Sequence, residues 1–182
     1  LGYQKFVPGS KIPDRAAIPA DAGGYPEDVR PYLQPDEYIR SDHPDVVAKA
    51  KELLESLPVE DRADTAKVVW AVYEWKTKNI EHEGVFATGV HGRGLDEQPF
   101  GDVTSGIWQT ISGRGWAWGR SFYDWCYRPH ELLKLKSGIC VERAWLGAAL
   151  LRALNIPARS TTGASEFWAQ TPDKKGVWVG FA

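Results

Sequence analysis

The pattern of apolar and polar positions predicts two amphipathic helices in the first half of the chain. The first is capped by Ser41 and Asp42, carries apolar residues every three or four positions, and ends before a proline. The second opens near Asp61 or Asp64 and places valines and aromatic residues on one face. It also carries three lysines, which we expect on its wetter side or near its carboxyl end: Lys67, Lys76 and Lys78. These two helices are expected to form one layer.

The second half of the chain predicts a central helix followed by strands. Residues 140–154 are apolar around most of the helix circumference, which is typical of a helix inside a core, and Asn155 supplies a left-handed stop. An extended segment at 158–163 and a hairpin of 166–170 with 177–181 follow. The last strand has an uncovered edge unless other strands pair with it. The predicted fold class is α+β, with the helical layer packed on an antiparallel sheet.

Two segments show no periodicity. Residues 1–40 are interrupted by prolines and predict an extended, proline-rich arm that covers the rest of the chain, 41–182. Residues 84–120 hold half of the 18 glycines and predict a long insertion that shapes a site. Its tryptophans are candidate substrate-binding platforms for a sugar or a peptide, although tryptophans also serve simply to fill cores: Trp108, Trp116 and Trp118.

Composition and charge narrow the function classes. The 182 residues, 43% of them hydrophobic, are enough for one substantial core. A net charge of -2 without a run of lysines and arginines argues against a nucleic-acid partner, and no apolar stretch is long enough to span a membrane. Histidines and cysteines lack metal-ligand spacing, so neither metal nor cofactor is expected. A disulfide between Cys126 and Cys140 is permitted by the spacing and would silence either thiol.

Cys140 carries the strongest chemical signal. It follows Gly138-Ile139 at the start of the central helix, where free N–H groups and the positive end of the helix dipole favour a thiolate. Such a thiol is a nucleophile. The alternative is an inert buried cysteine, which is a common fate of a lone thiol in a core.

These motifs resemble the transglutaminase-like superfamily, which has a papain-like thiol fold. The resemblance rests on the Gly-X-Cys helix start at 138–140, the Asn-Ile-Pro-Ala-Arg strand entry at 155–159 and the upstream helix ending at Asn79-Ile80. It implies a Cys-His-Asp triad in which the thiolate attacks an amide carbonyl and the acyl group passes to an amine or to water. It also implies a peptide or protein substrate, including cell-wall or glycan-linked ones, and a secreted or cell-envelope location.

The resemblance leaves the partners of Cys140 open. In the best alignment Glu166 stands where the histidine belongs, Trp168 is in register with the family's tryptophan, and Ala182 falls at the aspartate. Either the true partners lie beyond residue 182, or the chain is a degenerate member, or a histidine of this chain has taken the role. The candidates for the last case are His91 in the insertion and His130 before the central helix, while His43 and His82 are expected to be structural.

The leading hypothesis is a cysteine peptidase or acyltransferase acting through Cys140. The competing one is a binding module for peptide or glycan that uses the same cleft without turnover. In that case Trp168 and the insertion's tryptophans would provide the binding surface.

Overall fold

A computed structural model describes residues 17–82, 126–161, 164–171 and 176–181, together with the backbone of Gln4–Lys5. The helices in this part of the chain are α1 (Pro44–Glu55), α2 (Thr65–Asn79), α3 (Pro129–Leu135) and α4 (Cys140–Ala153). The strands are β1 (Gln4–Lys5), β2 (Glu81–His82), β3 (Ser137–Gly138), β4 (Ala158–Thr161), β5 (Ala164–Ala169) and β6 (Val177–Phe181). Short 3-10 turns lie at Ala22–Gly24, Arg30–Leu33 and Val59–Asp61. The predicted α+β class is confirmed.

Side-chain caps fix where α1 and α2 begin. His43 caps α1, because its Nδ1 accepts a hydrogen bond from the N–H of Asp45 at 3.2 Å, so the predicted cap at Ser41 and Asp42 is wrong. Asp64 caps α2 and accepts hydrogen bonds from two N–H groups of the first turn at 3.1 and 3.4 Å. The cap shows that α2 begins at Asp64 and not near Asp61, which were the two predicted starts. None of the helices in the described ranges is both long and apolar enough to cross a bilayer.

The lysines of α2 do not share one environment. Lys67 and Lys78 reach solvent, where they pair with Asp61 and Glu74. Lys76 is only 1% exposed and belongs to the interior, so the wetter side is wrong for it, whereas the expected place near the carboxyl end is confirmed by its position in the last turn of α2. The helical period places position 76 on the same face as Val69 and Val72, which are both fully buried.

The main sheet has the strand order β1-β6-β5-β4. Strand β5 pairs antiparallel with both neighbours, and the predicted hairpin is the β5–β6 pair. Strand β1 from the amino-terminal arm lies parallel to β6, in register with Val179 and Gly180. The outer edge of β6, which the sequence predicts to be uncovered unless another strand pairs with it, is therefore paired with β1 at these two residues.

Helix α4 lies at the centre of the molecule. It packs on β4 and β5 and also contacts the other three helices. Its residues are buried from Val141 to Arg152, apart from the half-buried Arg143. The helix ends as predicted, since Asn155 adopts a left-handed conformation with φ of 61°.

The amino-terminal arm covers the face of the sheet that α4 leaves free. Tyr25, Val29 and Leu33 form a second apolar cluster with Trp168 of β5. The Tyr25 hydroxyl donates a hydrogen bond to the carbonyl of Asn155 at 2.7 Å, and desolvation by burial raises the pKa of this phenol. The arm is a cover, as predicted, but the described part of it is built from 3-10 turns rather than extended throughout.

Candidate active site

The exposed thiol of Cys140 stands at the first position of α4. The chain reaches it through β3, which pairs parallel with β2 so that His82 is in register with Gly138. A Cβ at Gly138 would lie 2.5 Å from Leu132 Cδ1 and 2.8 Å from Glu142 Oε2. Only a glycine lets the chain pass this close before it turns into the helix.

A buried carboxylate holds the helix start in place. Glu142 is 0% exposed, and its Oε2 accepts a hydrogen bond from the Ile139 N–H at 2.9 Å. Its Oε1 accepts a second hydrogen bond from the Tyr127 N–H at 2.7 Å. One carboxylate thus joins the residue before Cys140 to the segment that precedes α3. The first N–H groups of an α-helix have no acceptor within the helix itself, and this end of the helix stabilises a negative charge.

Basic groups lie on the same side of α4 as the thiol. Arg143 is one turn after Cys140, and the two residues interact electrostatically. Lys76 comes from α2, and its charge is repelled by Arg143. Arg143 is thus the described basic residue that acts directly on the thiol, and Lys76 lies further along α4, beside Gly147.

Cys126 does not form a disulfide with Cys140. Cys126 is buried, Cys140 is exposed, and both are free thiols. The permitted disulfide is absent, so nothing of this kind silences Cys140. Within the described ranges, no group of three or more His, Cys, Asp or Glu side chains is placed to hold a metal ion.

Comparison with known proteins assigns the chain to a family. A family model described as a transglutaminase-like domain matches residues 48–161, which is more than half of the chain and includes the whole of α4. The chain belongs to the transglutaminase-like domain family. A crystal structure from Cytophaga hutchinsonii, described as a "putative cysteine protease", is similar at 19% identity and a TM-score of 0.44. The alignment covers 91% of this chain but 41% of that one, and no curated protein matches significantly.

The transglutaminase-like chain does not bring Glu166 to the thiol. Ser165 faces α4, because its Oγ donates a hydrogen bond to the Ala144 carbonyl at 2.9 Å. Neighbouring residues of a strand point to opposite faces, so Glu166 lies on the other side of the sheet. There its carboxylate accepts a hydrogen bond from Arg159 at 2.6 Å. Its paired carboxylate therefore does not repel the Cys140 thiolate, and its alignment with the family histidine stays a prediction.

Two other predicted site residues are packed against neighbouring side chains. Trp168 is 5% exposed and lies edge-on to Tyr25 under the arm, and its role in substrate binding stays a prediction. His130 stacks on His43 with ring centroids 4.0 Å apart, and no hydrogen bond joins it to Cys140. Burial, followed by the charge of His43, lowers the pKa of His130. His91, Trp108, Trp116 and Trp118 lie outside the described residues.

Sequence reasoning missed several groups that build this site. Glu142 and Arg143 look like ordinary surface positions in an apolar helix, and Lys76 looks like a solvated charge. His82, which the sequence predicts to be structural, is exposed in β2 and pairs with β3, the strand that leads to Cys140. The sequence does contain one signal for Glu142 and Arg143, because both follow the cysteine within one helical turn and therefore lie close to it.

Proposed function

We propose that this transglutaminase-like domain catalyses thiol-dependent acyl transfer or hydrolysis at amide bonds of peptide or protein substrates. The observation that carries the proposal is an exposed cysteine at the first position of a buried helix, in a chain of this family. The same placement is expected to give the thiol its nucleophilic character. Action at the cell envelope or outside the cell is part of the proposal and rests on the family resemblance.

The chemical steps follow from the position of Cys140. Its thiolate attacks the amide carbonyl carbon, and the oxyanion that forms is stabilised by N–H groups at the helix start. Collapse breaks the C–N bond, the amine leaves with a proton, and a thioester remains. Water or a second amine then attacks the thioester, which gives an acid or a new amide and returns the thiolate.

His82 is included in the proposal as the histidine that exchanges protons with the thiol. Two observations support this choice: its backbone is in register with Gly138, two residues before Cys140, and its side chain is exposed. We assign it this role within the proposal, in place of the structural one expected from sequence. The assignment corresponds to the case in which a histidine of this chain serves the nucleophile.

The reactivity of Cys140 tests the proposal. We expect iodoacetamide to alkylate Cys140 faster than glutathione between pH 6 and 7.5, because a nucleophile must react readily at neutral pH, and Cys140 is exposed at a helix start near Arg143. Mass spectrometry of peptides separates this site from Cys126, and Cys126→Ser serves as the control. A labelling rate no higher than that of glutathione over this pH range would contradict the proposal.

Turnover and the role of His82 need separate measurements. With casein as the probe, incorporation of a fluorescent amine reports transfer, and deamidation or cleavage reports water as the acceptor. Cys140→Ser is expected to abolish both signals. His82→Ala is expected to slow alkylation at neutral pH about tenfold, whereas Glu81→Ala, its exposed neighbour in β2, is not. Equal rates in the two variants would exclude His82 as the proton acceptor.

A second candidate function is peptide or glycan binding without turnover. It is favoured by one observation, since no histidine in the described residues is hydrogen-bonded to Cys140. It predicts slow alkylation of Cys140 and unchanged ligand binding in Cys140→Ser. The first measurement therefore separates the two functions.

A further inference from the structure

Arg143 is a basic residue that has no counter-charge in the part of the chain that the structure describes. Its Nε is fully enclosed, and no hydrogen bond or ion pair satisfies it among the described residues. Burial lowers the pKa of the guanidinium, while the charges of Tyr73 and Cys140 act to raise it. The thiol and the guanidinium are thus within electrostatic reach of each other, as their spacing of three residues on α4 requires.

Lys76 is a second basic residue for which the described residues provide no counter-charge. Its side chain is 1% exposed, and its Nζ lies 5.1 Å from the centre of the Phe181 ring. The amine also lies close to α4, because a Cβ at Gly147 would be 3.2 Å from Nζ and 2.8 Å from Ser165 Oγ. Burial, followed by repulsion from Arg143, lowers the pKa of Lys76 to about 7. No described carboxylate forms an ion pair with it.

Two carboxylates on α4 and β5 in the described ranges are already engaged. Glu142 accepts two backbone hydrogen bonds on the side of α4 that faces Tyr127. Glu166 pairs with Arg159 on the far face of the sheet. Holding a buried amine near a half-buried guanidinium of the same charge costs stability, and a negatively charged ligand would supply the counter-charge that the described residues lack.

We propose that Arg143 binds a carboxylate of the acyl donor beside the Cys140 thiol, with Lys76 providing a second positive charge behind it. The inference rests on the proposed function and names its substrate class, which is a peptide or amide with an acidic group next to the amide that is attacked. A guanidinium suits this task because its parallel N–H groups match the two oxygens of a carboxylate. Since residues three apart on a helix are about 5–6 Å apart at Cβ, the acidic group sits roughly one residue from the reacting carbonyl.

Two alkylating reagents that differ by one carboxylate test this inference. Iodoacetate and iodoacetamide both react with the thiolate, form an S–C bond and release iodide. Both rates depend in the same way on the fraction of thiolate. Their ratio is therefore independent of the ionisation of the thiol and reports the charges that surround the incoming reagent. We expect this ratio at Cys140 to exceed that of glutathione by about tenfold at pH 6.5 and low salt.

Variants locate the effect in the two basic residues. Arg143→Gln is expected to bring the ratio close to the glutathione value, and Arg143→Lys to restore part of it. Lys76→Met is expected to lower the ratio by a smaller factor. Lys78→Met, two residues further along α2 and exposed, is the matched control and is expected to leave the ratio as it is in the wild type.

The ratio separates this inference from the proposed function. Because Cys140 is exposed, both rates are measurable even if the thiol has no enhanced reactivity. Slow reaction with both reagents and a raised ratio would contradict the proposed function while supporting the carboxylate site. A wild-type ratio equal to that of glutathione would overturn the inference, and this result needs no variant to fold.

Discussion

At the scale of single residues, the buried amine of Lys76 has the clearest energetic consequence. The group has a pKa of about 7 in the folded protein and 10.5 as its ordinary value. Between these pH values the unfolded chain binds more protons than the folded one, so stability rises with pH across this window. Below about pH 7 the folded protein carries the full cost of a buried charge.

Replacing this lysine is therefore expected to stabilise the protein. Lys76→Met removes the buried charge, and the free energy of unfolding should rise at pH 7. In the wild type the free energy of unfolding should rise by up to about 1.4 kcal/mol per pH unit between pH 7 and 10, and the variant should not show this contribution. Urea unfolding at several pH values measures both effects, with Lys78→Met as the exposed control. Parallel stability curves for wild type and Lys76→Met would show that the amine does not titrate in this range.

At the scale of elements, the turn from β3 into α4 depends on side chains that no periodicity reveals. The hydrophobic pattern is enough to find the helix, its position in the core and its left-handed end at Asn155. It cannot show that Glu142 turns inward, because a carboxylate near a helix amino terminus usually faces solvent. It also cannot show that Lys76 is buried, since this depends on how α2 meets α4 and β6 in space.

Glu142→Gln tests the turn directly. The amide keeps one acceptor oxygen but points its NH₂ group at a backbone N–H that then has no partner. We expect a loss of about 1–3 kcal/mol in the free energy of unfolding, measured by urea titration. The rate of Cys140 alkylation should change as well, because the Ile139 N–H fixes the helix start. Glu52→Gln, on the exposed face of α1, is the matched control.

At the scale of the whole molecule, the sheet is covered on both faces by parts distant in sequence. Helix α4 covers one face, and the arm covers the other through the cluster that contains Trp168. The six prolines of the arm correctly exclude long helices there. They carry no information about which side chains would be buried, because Tyr25, Val29 and Leu33 follow no regular period. The proposed boundary between an arm at 1–40 and a core at 41–182 stays a prediction.

The arm contributes to stability, although it lies on the far face from the thiol. Tyr25→Ala removes the ring that packs on Trp168 and is expected to cost about 3 kcal/mol, whereas Tyr25→Phe loses one hydrogen bond and should cost about 1 kcal/mol. Urea unfolding measures the two values. The alkylation rate of Cys140 in folded Tyr25→Phe should equal that of the wild type. A cost near zero for Tyr25→Ala would show that the arm is not part of the cooperative unit.

The two backbone contacts at the helix start have a structural consequence. Residue 82, from which the chain enters the segment 83–125, pairs with the strand before Cys140, and residue 127, just after that segment, is tied to Glu142. The residues that flank the segment on both sides are thus held close to the start of α4 by main-chain hydrogen bonds and one carboxylate. The core therefore brings the entry and the exit of this segment to the two sides of one helix start. A change of side chain at Glu142 alters both the anchor of residue 127 and the turn that carries the thiol.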